Sequence, residues 1–271
     1  MLKQRIITAL VLLPIALGGF FLLDGAAFAW FIGLVVTLGA WEWARLAGLQ
    51  AQPLRVAYAA AVAVLLAALY MFPLFAPVLL AVAVLWWLAA TFLVLTYPDS
   101  SRYWGAMPGR LLIGLLILLP AWQGLVLLKQ WPQANALIIA VMVLVWGADI
   151  GAYFSGKTFG KRKLAPKVSP GKSWEGLYGG LAASMLITLL VGLQQGWSAG
   201  GLLLALAGAA VVVLISVVGD LTESMFKRQS GIKDSSNLLP GHGGVLDRID
   251  SLTAAIPLFA ALLWLAGWGA L

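Results

Sequence analysis

AGGLLLALAGAAVVVLISVV, residues 199–218, runs for twenty positions without a charged side chain. A helix of that length rises about 30 Å, the thickness of a bilayer's hydrocarbon core. A helix that is apolar on every face is either wholly enclosed or dissolved in lipid, and this one reads as a membrane span. Working outward in both directions, runs of the same character lie at 6–23, 26–41, 56–72, 78–97, 111–128, 136–154, 177–193 and 252–271. The fold class is therefore all-α, a polytopic integral membrane protein with about nine transmembrane helices. Composition agrees, since 62% of the 271 residues are hydrophobic, 10% are charged and the mean hydropathy is +0.99. A soluble domain of this size would need far more charge. The first run follows Lys3 and Arg5 as a secretory leader would, but it is long enough to cross and further spans follow, so it reads as a retained helix.

Basic residues in the connections orient the chain, because Lys and Arg in short loops stay cytoplasmic. With nine spans, sixteen of the seventeen basic residues, from Lys3 and Arg5 through Arg248, fall on one side. Lys129 alone falls on the other. The N-terminus is expected in the cytoplasm and the C-terminus outside. The net charge of +7 thus reports topology, and no nucleic-acid partner is expected. The chain has no cysteine and one histidine, which excludes thiolate and multi-histidine metal sites and leaves oxygen ligands.

The polar residues concentrate in two cytoplasmic segments, 155–176 and 219–251. Residues 1–134 therefore read as N-terminal scaffold helices and 135–271 as the catalytic region of one membrane domain. No internal repeat is visible, which argues against a transporter built from two related halves. Trp41, Trp43, Tyr97, Trp104 and Trp131, near span ends, read as an interfacial aromatic belt.

The segment VVGDLTESMFKRQSGIKDSSNLLPGHGGVLDRID, residues 217–250, carries the densest chemistry. Asp220 directly follows one apolar run, and Asp247 and Asp250 directly precede another, so all three carboxylates lie at the membrane boundary, where charge is costly unless paired. Asp247 and Asp250 share a face if the last helix begins early, and a bound cation would relieve their repulsion. Lys227, Arg228, Lys233 and Arg248 supply positive charge beside them. His242 sits in a GHGG turn whose Gly243 and Gly244 let backbone N–H groups approach an anion. A cation site beside an anion site is the layout of metal-assisted phosphoryl or nucleotidyl transfer. Asp149, inside an apolar span, is a further carboxylate expected to face the same cavity as Asp220.

From Ser224 to Asp250 the segment resembles the hallmark motif of the phosphatidate cytidylyltransferase (CDP-diacylglycerol synthase) family. Ser224, Lys227, Arg228, Lys233, Asp234, His242, Gly243, Gly244, Asp247, Arg248 and Asp250 all fall in register. Ser169, Pro170, Lys172, Trp174 and Gly176 resemble the family's second cytoplasmic segment. The resemblance implies attack of a phosphatidic acid oxygen on the α-phosphorus of CTP with release of pyrophosphate. It implies Mg²⁺, and a second, monovalent cation such as K⁺, held by Asp220, Asp247 and Asp250. By the same resemblance Lys227, Arg228 and Arg248 join these carboxylates as catalytic residues, and Ser169, Lys172, Ser224, Lys233, His242, Gly243 and Gly244 bind substrate. The inner (plasma) membrane is the expected location, with the active site facing the cytoplasm, the bilayer as partner and a homodimer as the expected assembly. Two rivals stand beside this reading: a related enzyme acting on an isoprenoid-based lipid, and a cation-coupled transporter. Gly151, Gly156, Lys157 and Thr158 also fit the phosphate-loop pattern GxxxxGK[ST], but a span precedes them and a basic, proline-broken loop follows, so the match is read as coincidence.

Overall fold

The structure, a computed structural model, describes residues 2–268, with side chains from Gln4 onward. The end of the last expected span, 269–271, and the expected cytoplasmic side chain of Lys3 lie outside the described residues. The helices are α1 (Leu2–Phe21), α2 (Gly25–Leu46), α3 (Gln52–Met71), α4 (Ala76–Leu95), the short α5 (Ser101–Trp104), α6 (Met107–Gln130), α7 (Ala134–Phe159), α8 (Trp174–Gln194), α9 (Ala199–Gln229) and α10 (Leu246–Leu265). Among the described residues, nine of these are long and apolar enough to cross a membrane. Among the described residues the two strands, β1 (Lys163–Ala165) and β2 (Ser169–Ser173), form an antiparallel hairpin with Lys163 opposite Ser173 and Ala165 opposite Ser169.

Proline marks three of the starts, falling in the first two positions of α3, α4 and α6, where its missing N–H leaves no intrahelical bond unmade. Ser173 caps α8, its hydroxyl accepting from the Gly176 N–H at 3.1 Å, and Ser198 caps α9 in the same way at 3.2 Å.

The boundaries correct the sequence reading where polarity was taken for loop. At 31 residues, α9 is about 46 Å long, well beyond what the hydrocarbon requires. Its last eleven residues, 219–229, continue the helix into the polar segment, and α10 starts at Leu246 rather than at 252. The true loop shrinks to 230–245. The other polar segment, 155–176, divides in the same way among the end of α7, the hairpin and the start of α8.

Tryptophan supports the extension of α9. Phe226 is fully buried between Trp43 of α2 and Trp104 of α5, with ring centroids 4.7 and 4.4 Å away. Such pairs contribute about 0.5–1.5 kcal/mol each beyond their burial. Trp43, Trp104 and Trp131 are thus core residues, not the interfacial belt their positions near span ends implied. α6 is the most enclosed span and α1 the least.

Contacts between helix ends assemble one polar end of the bundle. Arg5 of α1 donates to the Gly241 carbonyl, Arg45 of α2 to the Ser235 carbonyl, and Arg110 of α6 to the Leu46 carbonyl. Lys129 lies away from this end, where it pairs with Asp24 at 3.2 Å and donates to the Phe20 carbonyl and to Asn135. The basic residue that broke the charge pattern is therefore a satisfied, buried one.

Candidate active site

The site begins with a close crossing. α7 and α8 meet through glycine: a Cβ on Gly151 would stand 2.6 Å from the Gly179 carbonyl oxygen, and one on Gly180 would stand 2.7 Å from that of Ala148. Only small residues let backbones approach so closely. Gly151, Gly156, Lys157 and Thr158 all lie within the continuous helix α7, so they form no phosphate loop. Their glycines serve the crossing.

Beside this crossing, α7, α8, α9 and the hairpin enclose a cavity of about 380 Å³. Asp149 and Lys157 reach it from α7, Lys172 from β2 and Asp220 from α9. Asp149 and Asp220 therefore face one space, as the sequence reading anticipated. Lys172 Nζ lies 2.7 Å from Asp220 Oδ2, and Ser224 Oγ donates to Asp220 Oδ1 at 3.3 Å, one turn along the same helix. The result is alternating charge around a half-enclosed pocket, two carboxylates and two ammonium groups.

A second polar cluster lies deeper, on the same face of α9. Lys227 is two turns from Asp220, and its Nζ stands 2.8 Å from Asp247 Oδ1 and 3.3 Å from Glu223 Oε1. Asp247 Oδ2 accepts from the Gly244 N–H at 2.8 Å, the Ser235 N–H at 3.0 Å and the Ser235 hydroxyl at 2.9 Å. Glu42, from α2, completes the cluster against Ser235, Ser236 and the start of α10. Asp250 follows on α10, where its carbonyl lies against Gly219: a Cβ there would come within 2.7 Å of it.

The remaining expected residues divide between the loop and the hairpin. Arg228 Nε donates to the Val168 carbonyl at 3.1 Å, which fastens the hairpin turn to α9. Arg248 Nε donates to the His242 carbonyl at 3.0 Å. Lys233 is exposed on the loop, and Ser169 opens β2 outside the cavity wall. His242 Nδ1 is buried without a hydrogen-bond partner among the described residues. Gly243 has φ +84°, a conformation open to glycine, and a Cβ there would meet Asp247 Oδ2 at 2.7 Å.

Sequence reasoning missed Glu42 and Glu223. Glu42 lies one residue past the end of the expected second span, with no other acidic residue near it in the sequence. Glu223 was hidden by the reading of 219–251 as loop. Placed on a helix, its spacing of four from Lys227 and three from Asp220 would have put all three on one face.

Mg²⁺ takes hard oxygen ligands and is held by one or two carboxylates together with substrate phosphates, not by an all-protein cage. Asp220 and Asp149, on one cavity, suit that pattern, and Asp250, like Asp247, lies outside its lining. Among the described residues no three acidic or imidazole groups form a ready-made cage. Asp247, also expected to hold a cation, is bonded to donors of this chain. Both its oxygens are taken by Lys227, Ser235 and Gly244, and it lies outside the cavity lining.

The sequence matches the family described as the cytidylyltransferase family over residues 3–266. It is 80% identical over 270 residues to a phosphatidate cytidylyltransferase of Pseudomonas aeruginosa, an alignment covering 100% of both chains. It is 44% identical over 287 aligned positions to a phosphatidate cytidylyltransferase of Haemophilus influenzae, covering 96% of this chain and 98% of that one. A phosphatidate cytidylyltransferase of Brucella suis is 47% identical over 140 residues, half of this chain and 48% of its own.

Proposed function

This chain belongs to the cytidylyltransferase family, and on that premise we propose that it transfers the cytidylyl group of CTP to phosphatidic acid, giving CDP-diacylglycerol and pyrophosphate. The observation that carries the reading to particular residues is the single cavity faced by Asp149, Lys157, Lys172 and Asp220. Its two ammonium groups match the oxygens of a triphosphate, and its two carboxylates match a cation that travels with it.

In the reaction an oxygen of the phosphatidate phosphate forms a bond to the α-phosphorus of CTP. The bond from that phosphorus to the bridging oxygen breaks, and pyrophosphate leaves with the electron pair. The nucleophile is already an anion, so the chief demand is to offset repulsion between two anionic substrates. Lys172 and Lys157 supply positive charge at the cavity wall. Lys227 stands behind them, held between Glu223 and Asp247, and adds to the positive field while keeping α9 and α10 in register. Asp220, with Asp149 on the same cavity, would hold Mg²⁺, whose chemistry there is Lewis-acid stabilisation of phosphate charge. The family resemblance implies a monovalent cation such as K⁺ beside it, with Asp220, Asp247 and Asp250 as the carboxylates that would hold the two.

The chain is a multi-pass membrane protein. The bundle's basic end is assigned to the cytoplasm by the positive-inside rule, in the inner membrane, where CTP enters from water and phosphatidic acid from the bilayer. A homodimer is the assembly expected of it.

The test is transfer of label from CTP into a lipid-extractable product by detergent-purified protein with phosphatidic acid and Mg²⁺, alongside Asp220→Asn. The parent is expected to be active and the variant to lose about a hundredfold or more while remaining folded. A folded parent without transfer would refute the reaction.

A further inference from the structure

We propose that Glu42, on a scaffold helix far in sequence from the site, is a positioning residue for the catalytic loop. It is completely buried, and its carboxylate accepts from three donors, with the Ser235 hydroxyl, closer to Asp247, as a fourth polar neighbour. Oε1 accepts from the Ser236 hydroxyl at 2.5 Å and the Val245 N–H at 3.0 Å. Oε2 accepts from the Leu246 N–H at 2.6 Å and lies 3.2 Å from the Ser235 hydroxyl.

Two of those donors belong to the start of α10. The first N–H groups of a helix have no partner within it, and Val245, at the cap position, has no side chain that can serve. Glu42 supplies the cap from α2, with the negative charge that a helix N-terminus favours. The adjoining N–H, of Gly244, goes to Asp247. Glu42 and Asp247 thus grip the same corner of chain from opposite sides, and Ser235 lies between them. The corner has no room for a side chain: a Cβ on Gly244 would stand 2.5 Å from Glu42 Oε1 and would also strike the Ser235 hydroxyl. The last glycine of the GHGG turn, Gly244, therefore answers to Glu42 as well as to any phosphate. Two further bonds from the end of α2 brace the loop, Arg45 to the Ser235 carbonyl at 3.3 Å and Ser230 to the Leu46 carbonyl at 2.9 Å.

Glu42 touches none of the cavity groups. It acts through Ser235 and α10 on Asp247, and through Asp247 on Lys227. The inference rests on the reaction proposed above for its kinetic consequences, and on geometry alone for its structural ones.

Glu42→Gln separates positioning from space-filling. Glutamine has the same shape and removes a buried charge, so a residue that merely fills the core would tolerate it. The three donors, however, are divided between both oxygens, so whichever one becomes the amide NH₂ would be set against a donor. We expect faster hydrogen exchange confined to residues 235–246, measured by mass spectrometry on the purified full chain. We also expect kcat to fall about tenfold or more, with KM for CTP changed less than about threefold. Ser236→Ala deletes one bond to Oε1 and also the acceptor of the Leu238 N–H. Its effect is therefore read at Val245 and Leu246, which should loosen to a smaller degree, and it decides the matter if Glu42→Gln does not fold. Parent-like exchange at Val245 and Leu246 in the folded variants, or acceleration spread evenly over all helices, would overturn the inference. A parent without cytidylyl transfer would count against the reaction and leave the exchange comparison standing.

Discussion

Lys172 on the hairpin and Asp220 on α9 meet at 2.7 Å at the wall of the cavity, each about a quarter exposed (27%). The pair joins a strand to a helix, beside the bond from Arg228 to the Val168 carbonyl. A triphosphate competing for Lys172 would draw the ammonium off Asp220 and leave that carboxylate open to a cation. Nucleotide and metal are then expected to favour one another's binding.

Lys172→Met should raise KM for CTP about tenfold or more, the loss of one charge-assisted contact. Lys172→Arg should recover part of it. Steady-state kinetics in mixed micelles measure this, and an unchanged KM in Lys172→Met would remove Lys172 from the substrate site.

At the crossing of α7 and α8, Gly151→Ala would set a methyl group 2.6 Å from the Gly179 carbonyl oxygen and 2.7 Å from Ala183 Cβ. The overpacking should cost about 1–3 kcal/mol and lower the melting temperature in detergent. Gly200→Ala, where nothing lies within 4 Å of the new atom, should leave it level or raise it. Equal melting of the two variants would contradict the close approach.

Lys129 and Asp24 form an unequal pair, with side chains 3% and 82% exposed. Asp24→Asn should cost less than about 1 kcal/mol, since the exposed partner of an ion pair contributes little. Lys129→Met strips the Phe20 carbonyl and Asn135 of their donor and should cost about 1–3 kcal/mol. Thermal unfolding of both variants checks the order, and the reverse order would show that the ion pair itself dominates.

Because the chain has no native cysteine, single introduced cysteines can report its orientation. Gln195→Cys, exposed between α8 and α9, should react with a membrane-impermeant maleimide added outside intact cells. Lys233→Cys, exposed between α9 and α10, should react only after permeabilisation. The opposite pattern would invert the assigned topology.

The spans were legible in the sequence because each is a local property: a run of apolar residues long enough for the hydrocarbon. The segment around Asp220 and Asp247 was legible because its charges crowd together along the chain. Helix ends were harder to read. Polarity was taken for loop, whereas residues 219–229 are polar helix emerging from lipid, kept in place by Phe226 between two tryptophans. Glu42 was illegible for a different reason. Its partners lie some 190 to 200 positions away, and nothing in the local sequence around Trp41 and Trp43 marks a carboxylate as the cap of another helix.

The α7 and α8 crossing has one more consequence. Where two helices rest backbone on backbone, no layer of side chains can change rotamer to make or yield room. That wall of the cavity behaves as a fixed gauge. Differences between one substrate headgroup and another must be absorbed opposite it, by the hairpin, where Gly171 has open space around it and Lys172 is the part free to swing. Selectivity for the polar part of the substrate would then be altered most readily by redesigning the fourteen residues, 160–173, that join α7 to α8, with the lipid-facing bulk of the protein left as it is.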